Sequence, residues 1–343
     1  MNYAKPLRVV LLTAMVALPV TLSHAASPDS PKQVMAYLES ARSCYESLTA
    51  FYTYMNQMPT DTFAVDVHGT VRGTAPAQAL QFAKSKDMMT FATVSNFGAI
   101  GFDPKITHAI LNNSRPRTRA IHQLLALVQH WGYTGINIDL ESVDRTDREA
   151  FSSFIHDVAQ KMRTAGFLTV VSVPAELKDN PDDSWTGAFD FAALGQSADI
   201  LQVMTYDENG PSGSPGPVAG LNWVEPRIAY SVSVVDPNKL SLGIPAYGYD
   251  WNMTAKTGVQ VFWKDLPGLI SKTGATPQWD SASSSPFFTY HAADGSSHVV
   301  WYEDESIPLK SALAVSYKLA GVSVFALGYD DLSFWQAVHA GGF

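Results

Sequence analysis

Residues Gly135-Ile136-Asn137-Ile138-Asp139-Leu140-Glu141 alternate strictly between apolar and polar side chains. Successive side chains of an extended strand point to opposite faces. Ile136, Ile138 and Leu140 therefore share one face, and Asn137, Asp139 and Glu141 share the other. Alternation alone would also fit an edge strand of an antiparallel sheet with one wet face. The neighbouring apolar runs argue against that, because they are apolar almost throughout, as in a parallel sheet covered on both sides. The polar row then looks into an interior, where two carboxylates and an amide are costly unless hydrogen-bonded or catalytic.

Working outward, eight such runs bounded by turn residues recur: Ala50–Tyr54, Thr62–Val67, Met88–Ser95, Gly135–Glu141, Leu168–Pro174, Ile200–Tyr206, Leu240–Tyr247 and Val322–Leu327. Segments of helical period lie between them, such as Arg117–Trp131 and Arg148–Ala165, the latter with acids in its first turn as the helix dipole prefers. Strand-helix alternation of this kind predicts an α/β fold, a single (β/α)8 TIM barrel with its site at the carboxyl ends of the strands. An open doubly wound sheet is the alternative. It fits less well, since no glycine-rich dinucleotide fingerprint follows the first run and polar residues end several strands rather than one switch point.

Two stretches interrupt the alternation. Glu208 to Gly220 is dense in Gly, Pro and Ser and predicts a long loop. The stretch 252–304, between strands 7 and 8, predicts a small α+β insertion with a hairpin turning at Asp294-Gly295.

Lys5 and Arg8, an apolar run from Val9 to Leu22 and then Ser23-His24-Ala25-Ala26 fit a secretory signal peptide over residues 1–25. Residues 26–49 read as a lead-in, and 50–343 as the barrel. The protein is expected to be secreted or periplasmic, with no membrane span, and to act as a monomer. Removing residues 1–25 takes Lys5 and Arg8 from the 23 basic residues and nothing from the 32 acidic ones, so the formal charge moves from −9 to about −11. Such a surface argues against a nucleic-acid partner, which needs bases to displace counterions. Cys44 is the only cysteine, so no internal disulfide forms. The nine His residues show no paired ligand spacing, so neither a metal nor another cofactor is expected.

Asp139 and Glu141, one residue apart on the same face, have Cα atoms about 6.5–7 Å apart. An ionised Asp139 would make ionisation of Glu141 harder and leave it a proton to donate to a leaving-group oxygen. Thr134 through Glu141 (TGINIDLE) resembles the fourth-strand signature of glycoside hydrolase family 18, Asp-x-x-Asp-x-Asp-x-Glu, and especially the subset with Asn at the second Asp, which includes spore-cortex fragment-lytic and related peptidoglycan-active members. Val203–Asp207 with the following loop resembles that family's sixth strand, Leu242–Trp251 its seventh, and Gly321–Ser323 the start of its eighth.

The resemblance implies a retaining, substrate-assisted reaction, in which the substrate's own 2-acetamido carbonyl attacks the anomeric carbon. It makes Glu141 the general acid and then base, while Asp139 orients the acetamide, Tyr206 hydrogen-bonds its oxygen and Asn137 steadies Asp139. Asp207 and Met204 would line the sugar subsite. Tyr247, Tyr249 and Trp251 would offer rings at the barrel mouth, and Asn96 matches a position near the site. Thr134 and Asn137 stand where many members have Asp, and Phe325 stands where a Trp often lies beneath the sugar. Trp131, Trp223 and Trp335 read as packing residues, and Glu176 as a solvated acid. The expected activity is cleavage of β-1,4 bonds next to N-acetylglucosamine in peptidoglycan or chitooligosaccharides. A non-catalytic sugar-binding barrel is the alternative, against which the intact Asp139, Glu141 and Tyr206 argue.

Overall fold

A computed structural model of the protein describes residues 32–343, so the expected signal peptide lies outside the described residues. Eight parallel strands form the barrel: β1 (Gln33–Ala36), β2 (Gln57–Val65), β3 (Met89–Ser95), β4 (Gly135–Asp139), β5 (Leu168–Pro174), β6 (Ile200–Met204), β7 (Leu240–Pro245) and β8 (Gly321–Phe325). Each pairs with its neighbours in sequence, and β1 closes the ring by pairing with β8 on one side and, at Met35–Gln57, with β2 on the other. The (β/α)8 architecture expected from the strand-helix alternation is therefore present. Both helices singled out in the sequence form, as Ser114–Trp131 and Arg148–Thr164, the first ended by Gly132 in the left-handed region.

Ala50–Tyr54 is not a strand. It ends the helix Arg42–Phe51 and continues as a turn of 3₁₀ helix, Tyr52–Tyr54. Its aromatic and β-branched residues suit a strand, but Cys44, Ser47 and Leu48 recur at helical spacing and bury one face of the preceding segment, and that tertiary contact decides. The first barrel strand is instead Gln33–Ala36, inside the segment read as a lead-in, so the barrel starts near residue 33 rather than 50. The insertion also starts earlier than expected. Tyr247–Asn252 leaves the barrel and joins Thr257–Phe262, Gln278–Asp280, Ser285–His291 and Ser297–Trp301 in a five-stranded antiparallel sheet, with the helix Leu266–Thr273 on one face. The expected hairpin is there, its turn carried by Gly295 at φ +84°.

Register decides what looks inward. Asp61 is level with Thr93, Thr93 with Asn137, Asn137 with Val170, and Val170 with Ile200. Partners in a parallel sheet share a face, so these five belong to one inward-facing row. Met35, Tyr37, Phe91, Val170 and Ile200 pack together as the lower interior. The larger core lies outside the barrel wall, where Ile136, Ile138, Leu201, Val203, Leu242, Ile244, Val322 and Val324 meet the helices. Burying the apolar face outward leaves the polar face of β4 pointing to the mouth.

Candidate active site

Asn137, at the middle of β4, is fully buried and hydrogen-bonded on both sides. Its Oδ1 accepts from the Tyr37 hydroxyl at 2.6 Å, and its Nδ2 donates to Ser172 Oγ at 3.0 Å. No direct bond from Asn137 to Asp139 exists among the described residues. Ser172 also lies beside Asp139 and favours its ionised form, so Tyr37, Asn137 and Ser172 form a buried network next to that carboxylate. Asn137 is thus not the direct clamp on Asp139 that was expected; it holds Tyr37 and Ser172 beside it. Tyr37 and Ser172 went unnoticed in the sequence. The period-two pattern of Gln33, Met35, Tyr37 and Glu39 is the signal that places Tyr37, and Ser172 stands out as a hydroxyl within the apolar run Leu168–Pro174.

Asp139 Oδ1 is buried with no hydrogen-bond partner among the described residues. An orphaned acceptor of that kind is what a substrate N–H would satisfy. Its own burial first, and then the charges of Glu141 and Asp61, hold Asp139 well above the usual carboxylate range. Burial likewise leads for Glu141, with Asp207 and Asp61 behind it, and pushes it up to about 7. The pair as a whole thus holds a proton to higher pH than free carboxyls do, whereas spacing alone suggested an ionised Asp139. Burial of both groups makes the difference.

Glu141 stands just past the end of β4. Asn96 holds its backbone from both sides, accepting from Glu141 N–H at 2.9 Å and donating to its carbonyl at 2.8 Å. Asn96 is 0% exposed, so it positions the acid and does not reach a ligand, as its proposed binding role required. Ser142, directly after Glu141, has φ +53°, a costly conformation for a side-chain-bearing residue and one that often marks functional turns.

Across the mouth, Tyr206 points inward beyond β6, with Gln202 Nε2 at 3.5 Å from its hydroxyl. Gly243 on β7 makes room for it, since a Cβ there would lie 2.8 Å from the Tyr206 ring and 2.7 Å from the Val203 carbonyl. Burial, and then Tyr37 and Asp139, raise the Tyr206 phenol well above its ordinary range, so it remains a donor. Phe325 and Tyr37 complete an aromatic floor, with the Phe325 ring 6.2 Å from Tyr206 and 5.9 Å from Tyr37. Met204 sits half-buried at the carboxyl end of β6.

Tyr247, Tyr249 and Trp251 do not form the open platform expected of them. They are 2, 6 and 3% exposed, and they pack with Val218 of the Glu208–Gly220 loop. Two of them act on Asp207 instead, whose Oδ1 accepts from the Tyr247 and Tyr249 hydroxyls at 2.8 and 2.7 Å. Asp207 itself stays exposed at φ +59°, a left-handed conformation that Asp tolerates better than most residues. Loss of surrounding water raises its carboxyl, and the Tyr249 and Tyr247 hydroxyls pull it back down. The loop is tied by Glu208, whose Oε2 accepts from Gly220 N–H at 2.9 Å.

Glu176 is not the solvated acid it resembled. It is 3% exposed with one unpartnered oxygen, and burial first, then Asp179, pushes it up to about 8. Among the residues that sequence reasoning passed over, Asp61 matters most to the field of the site. It is a third inward carboxyl, which burial and then Glu39 push up to about 6.

The glycosyl hydrolases family 18 model matches residues 45–330. An uncharacterized glycosylase of Bacillus subtilis, YvbX, is 39% identical over 97% of this chain and 98% of its own. The crystal structure of a chitinase from Chromobacterium violaceum superposes with a TM-score of 0.86 at 36% identity, covering 91% of this chain and 99% of the other. The Bacillus subtilis cortical fragment-lytic enzyme is 24% identical over 90% of this chain and 74% of its own. With the barrel, the fourth-strand carboxylates and these similarities together, the chain belongs to glycosyl hydrolase family 18 and is a glycoside hydrolase.

Proposed function

We propose that this protein cleaves β-1,4 bonds next to N-acetylglucosamine, in peptidoglycan or chitooligosaccharides, by a retaining and substrate-assisted mechanism. One observation carries the reading. The unpartnered Asp139 Oδ1 is buried close enough to Glu141 and to the neutral Tyr206 hydroxyl to interact with both, so an acceptor for an amide N–H and a donor for an amide oxygen stand together beside the acid. A 2-acetamido group presents both. Held there, its carbonyl oxygen attacks the anomeric carbon while Glu141 gives its proton to the glycosidic oxygen, whose bond to that carbon breaks. Glu141, now ionised, takes a proton from water as the water's oxygen attacks the same carbon and reopens the ring formed with the acetamide. Asp139 stabilises the positive charge that develops between the two steps.

The relatives carry the names chitinase and cortical fragment-lytic enzyme, which supports a polymer containing N-acetylglucosamine as the substrate. Export to a compartment where such polymers occur follows from the amino-terminal signal pattern and belongs to the same proposal. The test is mass spectrometry of products from peptidoglycan and chitin digested side by side, with cellooligosaccharides as the third arm. Products ending in reducing N-acetylglucosamine, and no cellooligosaccharide cleavage, are expected. Cleavage of cellooligosaccharides at a comparable rate sinks the substrate-assisted reading, because they lack the nucleophile.

A further inference from the structure

Asp61 lies on β2 in register with Thr93, which is in register with Asn137, so its side chain belongs to the same inward row as the middle of β4. It is only partly exposed, and no hydrogen bond reaches its carboxylate among the described residues. A half-buried acid without a donor is unfavourable for the fold. Nothing in the packing explains its presence, since Asn or Ser would fill the place without the charge.

The groups facing it can be read element by element. Tyr37 and Glu39 come from β1 and its extension, Asp139 and Glu141 from β4 and its end, and Tyr329 from the segment after β8. From β3 the polar residues on its side of the sheet are Thr93 and Ser95, and neither ionises in the working range. Asp207, on the far side of the mouth, acts on Glu141 as well. Among the described residues no lysine or arginine contributes to the field at Asp61, Asp139, Glu141 or Asp207. Asn137 cannot ionise, so Asp61 is the inward charge on the β2 side of the Asp139–Glu141 pair.

We propose that Asp61 is a third acid of this site, a positioning residue whose negative charge holds the catalytic proton on the Asp139–Glu141 pair. The idea rests on the reading of that pair as the catalytic acid and its partner. Asp61 needs no contact with substrate to act in this way. Once ionised, it makes removal of the pair's last proton harder, and so extends to higher pH the range in which Glu141 has a proton to give.

The experiment is the pH profile of kcat/KM on a chitooligosaccharide for the wild type, Asp61→Asn and Asp61→Glu, together with melting temperatures at neutral pH. Asp61→Asn should move the alkaline limb to lower pH by about half to one unit, the size expected of one charge across several ångströms of protein. Asp61→Glu should restore the limb. Asp61→Asn should also melt no lower than the wild type. An acid whose folded pKa is raised to about 6 stabilises the fold only below that pH, so above it the amide relieves a cost. If Asp61→Asn does not fold, the smaller Asp61→Ser takes its place. An unmoved alkaline limb, or a uniform loss of rate at every pH with a lowered melting temperature, overturns the proposal and makes Asp61 structural. Glu141→Gln is measured alongside. If that variant keeps its turnover, it is the catalytic assignment that fails, and the Asp61 profile is then read without it.

Discussion

At the scale of single residues, the site is a set of acids whose hold on their protons is raised mainly by burial. Glu141, pushed up to about 7, must carry a proton to assist departure of the leaving group, so kcat/KM should fall as pH rises through about 7. The isosteric Glu141→Gln should abolish turnover and leave oligosaccharide binding nearly intact, as isothermal titration would show; near wild-type turnover would remove Glu141 from the mechanism. Asn137 acts one step further back, by holding Ser172 and Tyr37 beside Asp139. Asn137→Ala and Ser172→Ala should each lower kcat about five- to tenfold with little change in KM, because each breaks the Asn137–Ser172 hydrogen bond, worth roughly 1 kcal/mol, in the network beside Asp139. The double variant should lose little more than either single one, since both break the same bond. Additive losses would mean that the two residues act separately. Asn137→Asp should instead reshape the pH profile, by adding an ionisable group between Tyr37 and Ser172. If both its profile and that of Asn137→Ala match the wild type, Asn137 is a filler of the barrel interior.

At the scale of elements, β6 and β7 work as a pair. Tyr206 reaches its place because β7 carries Gly243 where a side chain would collide with the ring. Gly243→Ala should therefore displace the tyrosine, lowering kcat by tenfold or more and stability by about 1–3 kcal/mol. A variant with unchanged kcat would show that the ring accommodates the methyl group. Period-two alternation made β4 legible with its inward row, because one face is polar and the other apolar. The five apolar strands could be placed but not read for function, since a run such as Leu168–Pro174 hides one useful hydroxyl among side chains that differ little. Burial of the rings at the mouth was not legible. Tyr247, Tyr249 and Trp251 end an apolar run at a barrel mouth, as an open platform would, and only the fold of the Gly- and Pro-rich loop over them, with Val218 seated against their rings, turns them inward to Asp207. Asp61 escaped notice because its strand, Gln57–Val65, carries polar residues on both faces and a register shift between Asp61 and Phe63, so neither period nor polarity marks it.

At the scale of the whole molecule, closure is the feature on which the rest depends. β1 is only four residues long, yet it covers the open sides of both β8 and β2. It also brings Tyr37 to Asn137 and places Met35 in the interior cluster. A chain spanning 50–343, the barrel boundary that the sequence suggested, would leave two unpaired strand edges, an opened interior and an Asn137 without its tyrosine. One spanning 32–343 has none of these defects. The shorter chain should show no cooperative thermal transition and no hydrolysis, while the longer should melt as a single unit. The helix Arg42–Phe51, which packs Cys44 and Leu48 on the outer core, would be lost with β1, so a chain starting at residue 38 separates the two effects. It keeps the helix and loses the strand. If that intermediate chain melts cooperatively within a few degrees of the longer one, β1 is dispensable and the barrel closes without it; if it fails with the shorter chain, four residues outside the expected barrel are what hold the ring shut.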